Sequence, residues 1–245
     1  MDWIVPAWPA PPNVRALMTT RGGGTSTGAW RGMNLGLNTG DARAAIEANR
    51  ALLEGRLPSA PAWLQQVHGI RAVDADEASK AVAMQADASF TTTRGRVCAV
   101  LVADCMPILF TNRSGTCVAA AHAGWRGLAA GVVEATIAAS GLVPDETIAW
   151  LGPSIGPTRF EVGADVREAF IDGADADDVV AAFAPLSTGK WLADLPRLAR
   201  ARLAACGVGR VTASGLCTIG DERRFYSYRR DGVTGRMAAL IWIDH

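Results

Sequence analysis

The chain has no excess charge of either sign: 24 Lys and Arg stand against 24 Asp and Glu in 245 residues. No overall basic field exists to hold a nucleic-acid backbone or an anionic membrane, which excludes a general nucleic-acid binder. It has no C-x-x-C pair, and its cysteines, at 98, 105, 117, 206 and 217, are odd in number. Neither a disulfide framework nor a zinc ribbon is written here, and reduced thiols are expected. No stretch approaches the roughly 20 uninterrupted apolar residues of a membrane span. The opening residues, Met1-Asp2-Trp3-Ile4-Val5-Pro6, carry no cationic leader and run on through prolines to Pro12, so the expected compartment is the cytosol. Only three histidines occur, and one is the final His245.

What is present is enough apolar material, 49% of residues, to bury a sizeable core. Helix and strand patterns alternate without repeats or a dividing linker, which predicts one mixed α/β domain over 1–245. Strands are expected at 15–19, 63–68, 97–103, 108–111, 116–121 and 147–151. Helices are expected from an Asp41 cap to about Leu53, and at 128–140, 165–171 and 195–206, with Gly207 stopping the last. Pro107 predicts a break or edge at 104–107. The tail from 211 to 243 reads as strands around a basic turn at 223–230. Residues 141–185 carry nine acids and two bases, and 186–236 ten bases and four acids. Pairing within the chain is the favoured reading of that asymmetry over a partner site.

His68, Cys105 and His122 each fall where an apolar strand gives way to a loop or glycine, the position where α/β folds place ligand-handling side chains. Two imidazoles and a thiolate suit zinc, and three protein ligands leave a fourth position open for water or substrate. The ligand gaps, 37 and 17 residues, are too long for spacing to decide the matter. Separate burial of each residue as a satisfied core side chain is the bland reading. Without a metal, Cys105 is a candidate nucleophile with His122 as its base. Asp104 is a candidate proton shuttle, provided the chain break turns it toward its neighbour; a turn carboxylate is the alternative. Arg126 at the start of the 128–140 helix, Arg21 at the head of the loop Arg21-Gly22-Gly23-Gly24, and Arg229 are candidate anion holders. Gly24-Thr25-Ser26-Thr27-Gly28 fits a serine nucleophile elbow but lacks the helix that must follow it. Trp125 is the first of the eight tryptophans to examine as a platform for a base.

These pieces match a family. Trp63-Leu64-Gln65-Gln66-Val67-His68-Gly69, Ala103-Asp104-Cys105-Met106-Pro107, Ala121-His122-Ala123-Gly124-Trp125-Arg126-Gly127 and Gly152-Pro153-Ser154-Ile155-Gly156 resemble, in that order, the YfiH family. Its members have been called laccase-domain proteins, multicopper polyphenol oxidases, purine nucleoside phosphorylases and peptidoglycan editing factors. The resemblance extends to Asn34-Leu35-Gly36, Phe160-Glu161-Val162-Gly163, Cys217-Thr218 and Ser227-Tyr228-Arg229-Arg230. Phe160 stands where many members have tyrosine, so no hydroxyl is offered there.

The resemblance implies zinc on His68, Cys105 and His122. It implies phosphorolysis of adenosine, inosine, guanosine and methylthioadenosine to base and sugar 1-phosphate, with adenosine deamination as a companion activity. The partners implied are a small nucleoside and phosphate. It also implies a fold of mixed β-sheets layered between helices, as in certain toxin deamidases. Four-copper laccase chemistry is excluded by counting, because three histidines cannot furnish the ligands; adventitious copper at the same trio could still give weak phenol oxidation. Hydrolytic editing of a cell-wall precursor is the alternative enzyme reading, and a metal-stabilised binding module the non-enzymatic one.

Overall fold

A computed structural model of the chain describes residues 2–79, 84–171 and 177–244. Its centre is a six-stranded mixed sheet. β2 (Ala72–Asp74), β3 (Ala88–Thr91), β5 (Met106–Asn112), β6 (Val118–Ala123), β7 (Thr147–Leu151) and β11 (Arg210–Ala213) lie in the order β11-β7-β5-β6-β3-β2. The two outer pairs are parallel and the inner ones antiparallel. A second sheet, β1-β12-β4, places β12 (Met237–Ile243) between β1 (Val14–Met18) and β4 (Cys98–Val102), antiparallel to both. A small third sheet is built from β8 (Glu161–Val162), β9 (Phe183–Ser187) and β10 (Lys190–Ala193).

Side-chain alternation along these strands generates the layers. Ile108 and Phe110 of β5 face the helices α3 (Trp125–Ala130), α4 (Val132–Ser140), α5 (Ala164–Ile171) and α7 (Leu195–Ala205). Leu109 faces the opposite way, onto the second sheet. Along β12, Ala239 and Ile241 pack toward the large sheet, whereas Leu240 and Trp242 pack toward Leu53 of α1 (Arg43–Glu54) and toward Met33 and Leu35. The order is helices, six-stranded sheet, three-stranded sheet, helix, as the expected layering of mixed sheets between helices requires. Three short helices, α2 (Ala75–Ala78), α6 (Asp177–Val180) and α8 (Tyr228–Asp231), and two 3-10 turns, Gly28–Trp30 and Pro144–Glu146, complete the described elements. Lys190 pairs with Glu161 and Arg197 with Asp178, so the acidic and basic stretches do meet within the chain.

Several local expectations are corrected. Residues 63–68 form no strand. The Gln66 side chain instead donates to the Leu101 carbonyl (2.8 Å) and accepts from the Leu101 amide (2.7 Å), occupying the edge of β4 as a neighbouring backbone would. Pro107 lies inside β5 rather than at an edge. The β7 ladder begins at Ile108, so the missing proline donor falls outside it, and the Pro107 carbonyl accepts from Gly152 N (2.9 Å). The break expected at 104–107 does occur, at its first residue: Asp104 has φ +87°, and β5 begins at Met106. The helix expected at 128–140 starts at Trp125 and is cut in two by Gly131, whose φ of +102° no helix can hold. Ala42, not Asp41, caps α1; the Asp41 carboxylate accepts from Ser26, Asn34 and Ala42 N.

Phe110 lies opposite Ala119 on one side and Ala149 on the other, and is itself fully buried. Small neighbours cannot close the hole its ring would leave. Phe110→Ala is therefore expected to lower stability by about 3–5 kcal/mol, read as a drop in the urea midpoint at constant slope.

Candidate metal centre and substrate cavity

Three segments deliver the predicted trio. His68 is carried on a loop in the left-handed region (φ +60°), Cys105 on the turn between β4 and β5, and His122 within β6 rather than after it. Their donor atoms all lie within 4.8 Å of one another. Cys105 Sγ is 3.8 Å from His68 Nε2, and the two imidazole rings meet edge to face with centroids 4.8 Å apart. Gly124 permits this convergence: a Cβ there would fall 2.8 Å from Cys105 Sγ and 3.1 Å from the His68 ring.

One buried carboxylate holds the arrangement. Asp87, just before β3, accepts from the backbone amides of Val67 (3.1 Å), His68 (2.9 Å) and Gly69 (2.7 Å). It also meets His122 Nδ1 at 2.8 Å, while its carbonyl accepts from His122 N at 2.7 Å. Burial would raise the Asp87 pKa, but the bonds from His122 and from these amides outweigh it and hold the group below the ordinary carboxylate range. An ionised acceptor on Nδ1 fixes the proton there and leaves Nε2 free to coordinate. Burial likewise pushes the Cys105 thiol up, yet His122 and His68 prevail and bring it well below the usual thiol range. The His122 ring, penalised by burial, is raised on balance by Cys105 and Asp87.

The trio opens on a cavity of about 960 Å³, near the top of the roughly 300–1,000 Å³ range of small-molecule sites. Three arginines line it: Arg50, Arg126 and Arg236. The Arg50 guanidinium bonds the Leu35 carbonyl twice and lies 4.2 Å from the centre of the Trp63 ring. Burial brings its pKa down to about 10, against the pull of Glu54 and Glu47, so it stays cationic at neutral pH. Arg236 bonds the carbonyls of Thr234 and Gly235 and faces the Tyr228 ring. The Arg126 side chain, stacked on Trp125, makes no hydrogen bond among the described residues.

The other candidates stand elsewhere. Asp104 is turned away from the cavity and accepts from Thr218 Oγ1 (2.6 Å), Ser227 Oγ (3.0 Å) and Arg229 N (2.7 Å). A carboxylate bound in this way anchors the Cys105 turn and has no free lone pair aimed at a reactant. Arg229 reaches the Glu161 carbonyl over the Phe160 ring, and Arg21 lies over Tyr226; neither lines the cavity. Trp125 packs against the helical core, leaving Trp63 and Tyr228 as the aromatic walls. Asp87, Arg50 and Arg236 escaped the sequence reading. A lone acid between Ala86 and Ala88 was a usable signal for the first; nothing marked the two arginines.

Layered mixed sheets carrying a His-Cys-His cluster at the mouth of a cationic cavity define the class. Residues 15–244 match the family described as multi-copper polyphenol oxidoreductase laccase, and the chain belongs to that family, which includes the YfiH proteins. It is 50% identical to a purine nucleoside phosphorylase of Pseudomonas aeruginosa, over 99% of this chain and 98% of that one. It is 50% identical to the purine nucleoside phosphorylase YfiH of Escherichia coli, over 98% of each. Among solved structures, a Neisseria meningitidis protein superposes with a TM-score of 0.96 at 47% identity over the whole of both chains. YlmD of Geobacillus stearothermophilus superposes at 0.91 and 30% identity, covering 100% of this chain and 97% of that one.

Replacing Asp87 by Asn removes the charge and one of the acceptor sites while keeping the shape. Metal affinity is expected to fall about 10–100-fold, measured by competition with a chelator. In metal-free protein at neutral pH, an alkylating agent should label Cys105 ahead of Cys98 and Cys117. Burial drives the Cys98 thiol far up and, with Asp74, the Cys117 thiol to about 11, so both stay protonated; mass mapping of the labelled peptides reads the order.

Proposed function

We propose that the chain is a zinc-dependent purine nucleoside phosphorylase, converting adenosine, inosine, guanosine and methylthioadenosine to the base and a sugar 1-phosphate. Deamination of adenosine is its side activity. The observation that carries this reading is the convergence of His68, Cys105 and His122 on the wall of a cavity that also holds three arginines. The names of the Pseudomonas aeruginosa and Escherichia coli relatives point the same way.

The donor set suits zinc: one thiolate whose charge is favoured by its neighbours, one imidazole locked by Asp87, a second on an exposed loop, and room beyond them for a reactant. Zinc bound there would supply Lewis acidity to a substrate oxygen or water. The rest falls to the chain's own side chains. Arg126, with its hydrogen-bonding capacity unspent, binds phosphate, supported by the charges of Arg236 and Arg50. A phosphate oxygen so oriented forms the new bond to the sugar anomeric carbon as the carbon–nitrogen bond to the purine breaks, the bonding pair leaving with the base. Trp63 and Tyr228 offer flat apolar surface to the base or sugar, and Leu101 and Val102 keep water from that side. Five unpaired thiols and the lack, among described residues, of any helix able to cross a membrane fit an enzyme of the cytosol.

One observation favours a second reading. The opposed shifts of Cys105 and His122 describe a thiolate beside an imidazolium, the nucleophile and acid of a thiol hydrolase that would suit editing of a cell-wall precursor. Exhaustive chelation separates the two, since the hydrolase would survive it.

The deciding assay is product analysis on adenosine with and without phosphate. Adenine and ribose 1-phosphate, formed only with phosphate, are expected; consumption without sugar phosphate would reject phosphorolysis. His122→Ala is expected to lose bound metal and about three orders of magnitude in kcat/KM. Its fold should persist at a lowered melting temperature, since Asp87 keeps three amide donors, and a far-ultraviolet circular dichroism spectrum like the parent's would show it.

A further inference from the structure

A second, smaller cavity of about 330 Å³ lies at the glycine-rich loop and shares no lining residue with the metal-centre cavity. Its charged lining is Arg21, Arg31 and Arg223, and no carboxylate lines it. Like charges gathered without a counter-charge repel one another, and this group keeps its donors free. Arg31 and Arg223 have no side-chain hydrogen bond or ion pair among the described residues, and Arg21 gives one hydrogen bond, to the Glu222 carbonyl. Three of the acids nearby are otherwise engaged, and the exposed Glu222 does not line the cavity. Asp231, whose charge reaches Arg21, is gripped by Arg230 through two bonds of 2.7 Å; Asp221 is held by Arg224; Asp41 sits behind Ser26.

The loop backbone supplies a second, independent feature. Gly23 and Gly24 have φ of +81° and +77°, and no described residue accepts from their amides. Successive amides in such a turn form a concave donor surface for an anion. The loop is held in shape from beneath by Asn49, fully buried on α1. This side chain donates to Ser26 Oγ, the Gly32 carbonyl and the Asn34 carbonyl, and accepts from Thr25 N at 2.7 Å. Ser26 and Gly32 exchange backbone hydrogen bonds across the loop, and a Cβ on Gly24 would fall 2.5 Å from the Gly32 carbonyl oxygen. A floor fixed in this way loses little conformational entropy when a ligand binds.

We infer that this cavity is a separate binding site for a phosphate group, either inorganic phosphate or the phosphate of a sugar or nucleotide monoester. Guanidinium groups converging with free amides match the several oxygens of a phosphate, and a carboxylate would use fewer of them.

The test reads the site directly. Amide resonances of Gly22, Gly23, Gly24 and Gly32 are followed by NMR in the full-length, metal-loaded protein during titration with inorganic phosphate, ribose 5-phosphate or AMP. Chloride at matched ionic strength is the control. Saturable shifts at millimolar ligand are expected, weakened about tenfold or more in R31Q/R223Q. Both arginines are exposed and unpaired, so that variant should melt like the parent and turn over adenosine unchanged. Shifts with inorganic phosphate assign the site to the free ion, and shifts with the monoesters alone assign it to an esterified phosphate. The inference is overturned by shifts equal in R31Q/R223Q, by shifts reproduced with chloride, or by none with any of the three ligands. Failure here leaves phosphorolysis standing, because that reading rests on Arg126 in the other cavity, which R31Q/R223Q does not touch.

Discussion

The centre depends on the bonds made by Asp87. A charged group with no exposed surface is costly to bury, and here the cost is offset by three backbone amides and one imidazole, all aimed at two oxygens. Those donors come from two segments: the loop carrying His68, tied to the sheet by an isolated bridge between Gln65 and Gln85, and β6 carrying His122. One carboxylate therefore positions one ligand through its backbone and the other through its ring. The left-handed conformation of His68 persists because the amides on either side of it are tied to the same acid.

Cys105 is held by a different set of contacts. Asp104 before it accepts from Thr218, Ser227 and Arg229, while its carbonyl accepts from Ile155 N and the Pro107 carbonyl from Gly152 N. Stretches remote from Cys105 in sequence, Gly152 to Gly156, Cys217-Thr218 and Ser227 to Arg230, thus converge on one turn. Their common role is to keep a strained turn from relaxing and carrying the sulfur away. Gly156 N donates to Cys217 Sγ and Thr218 N to the Ser154 carbonyl, so these segments also brace one another.

The meeting of His68, Cys105 and His122 was legible because soft donors at strand ends are few in a chain with three histidines. The layered fold was legible in part: apolar runs at 97–103 and 147–151 marked the buried strands. Residues 63–68 misled because a short extended segment can be held by a side-chain amide, and Gln66 does what a strand backbone would do. Of the arginines singled out, Arg126 lines the large cavity and the other two do not. Proximity in sequence to glycine singled out Arg21 and Arg229, whereas Arg50 on a helix and Arg236 beside the last strand reach the cavity only through tertiary packing. Asp104 beside Cys105 suggested a shared task; the positive φ at Asp104 sends the two side chains to different places.

The last strand of the chain lies in the middle of its sheet, between the first strand and the fourth. Because β12 pairs with segments far away in sequence, 14–18 and 98–102, the second sheet closes only after distant stretches of chain have met. Arg236, directly ahead of β12, takes its place in the cavity wall through that same closure. Pairings so non-local make this sheet a slow step of folding.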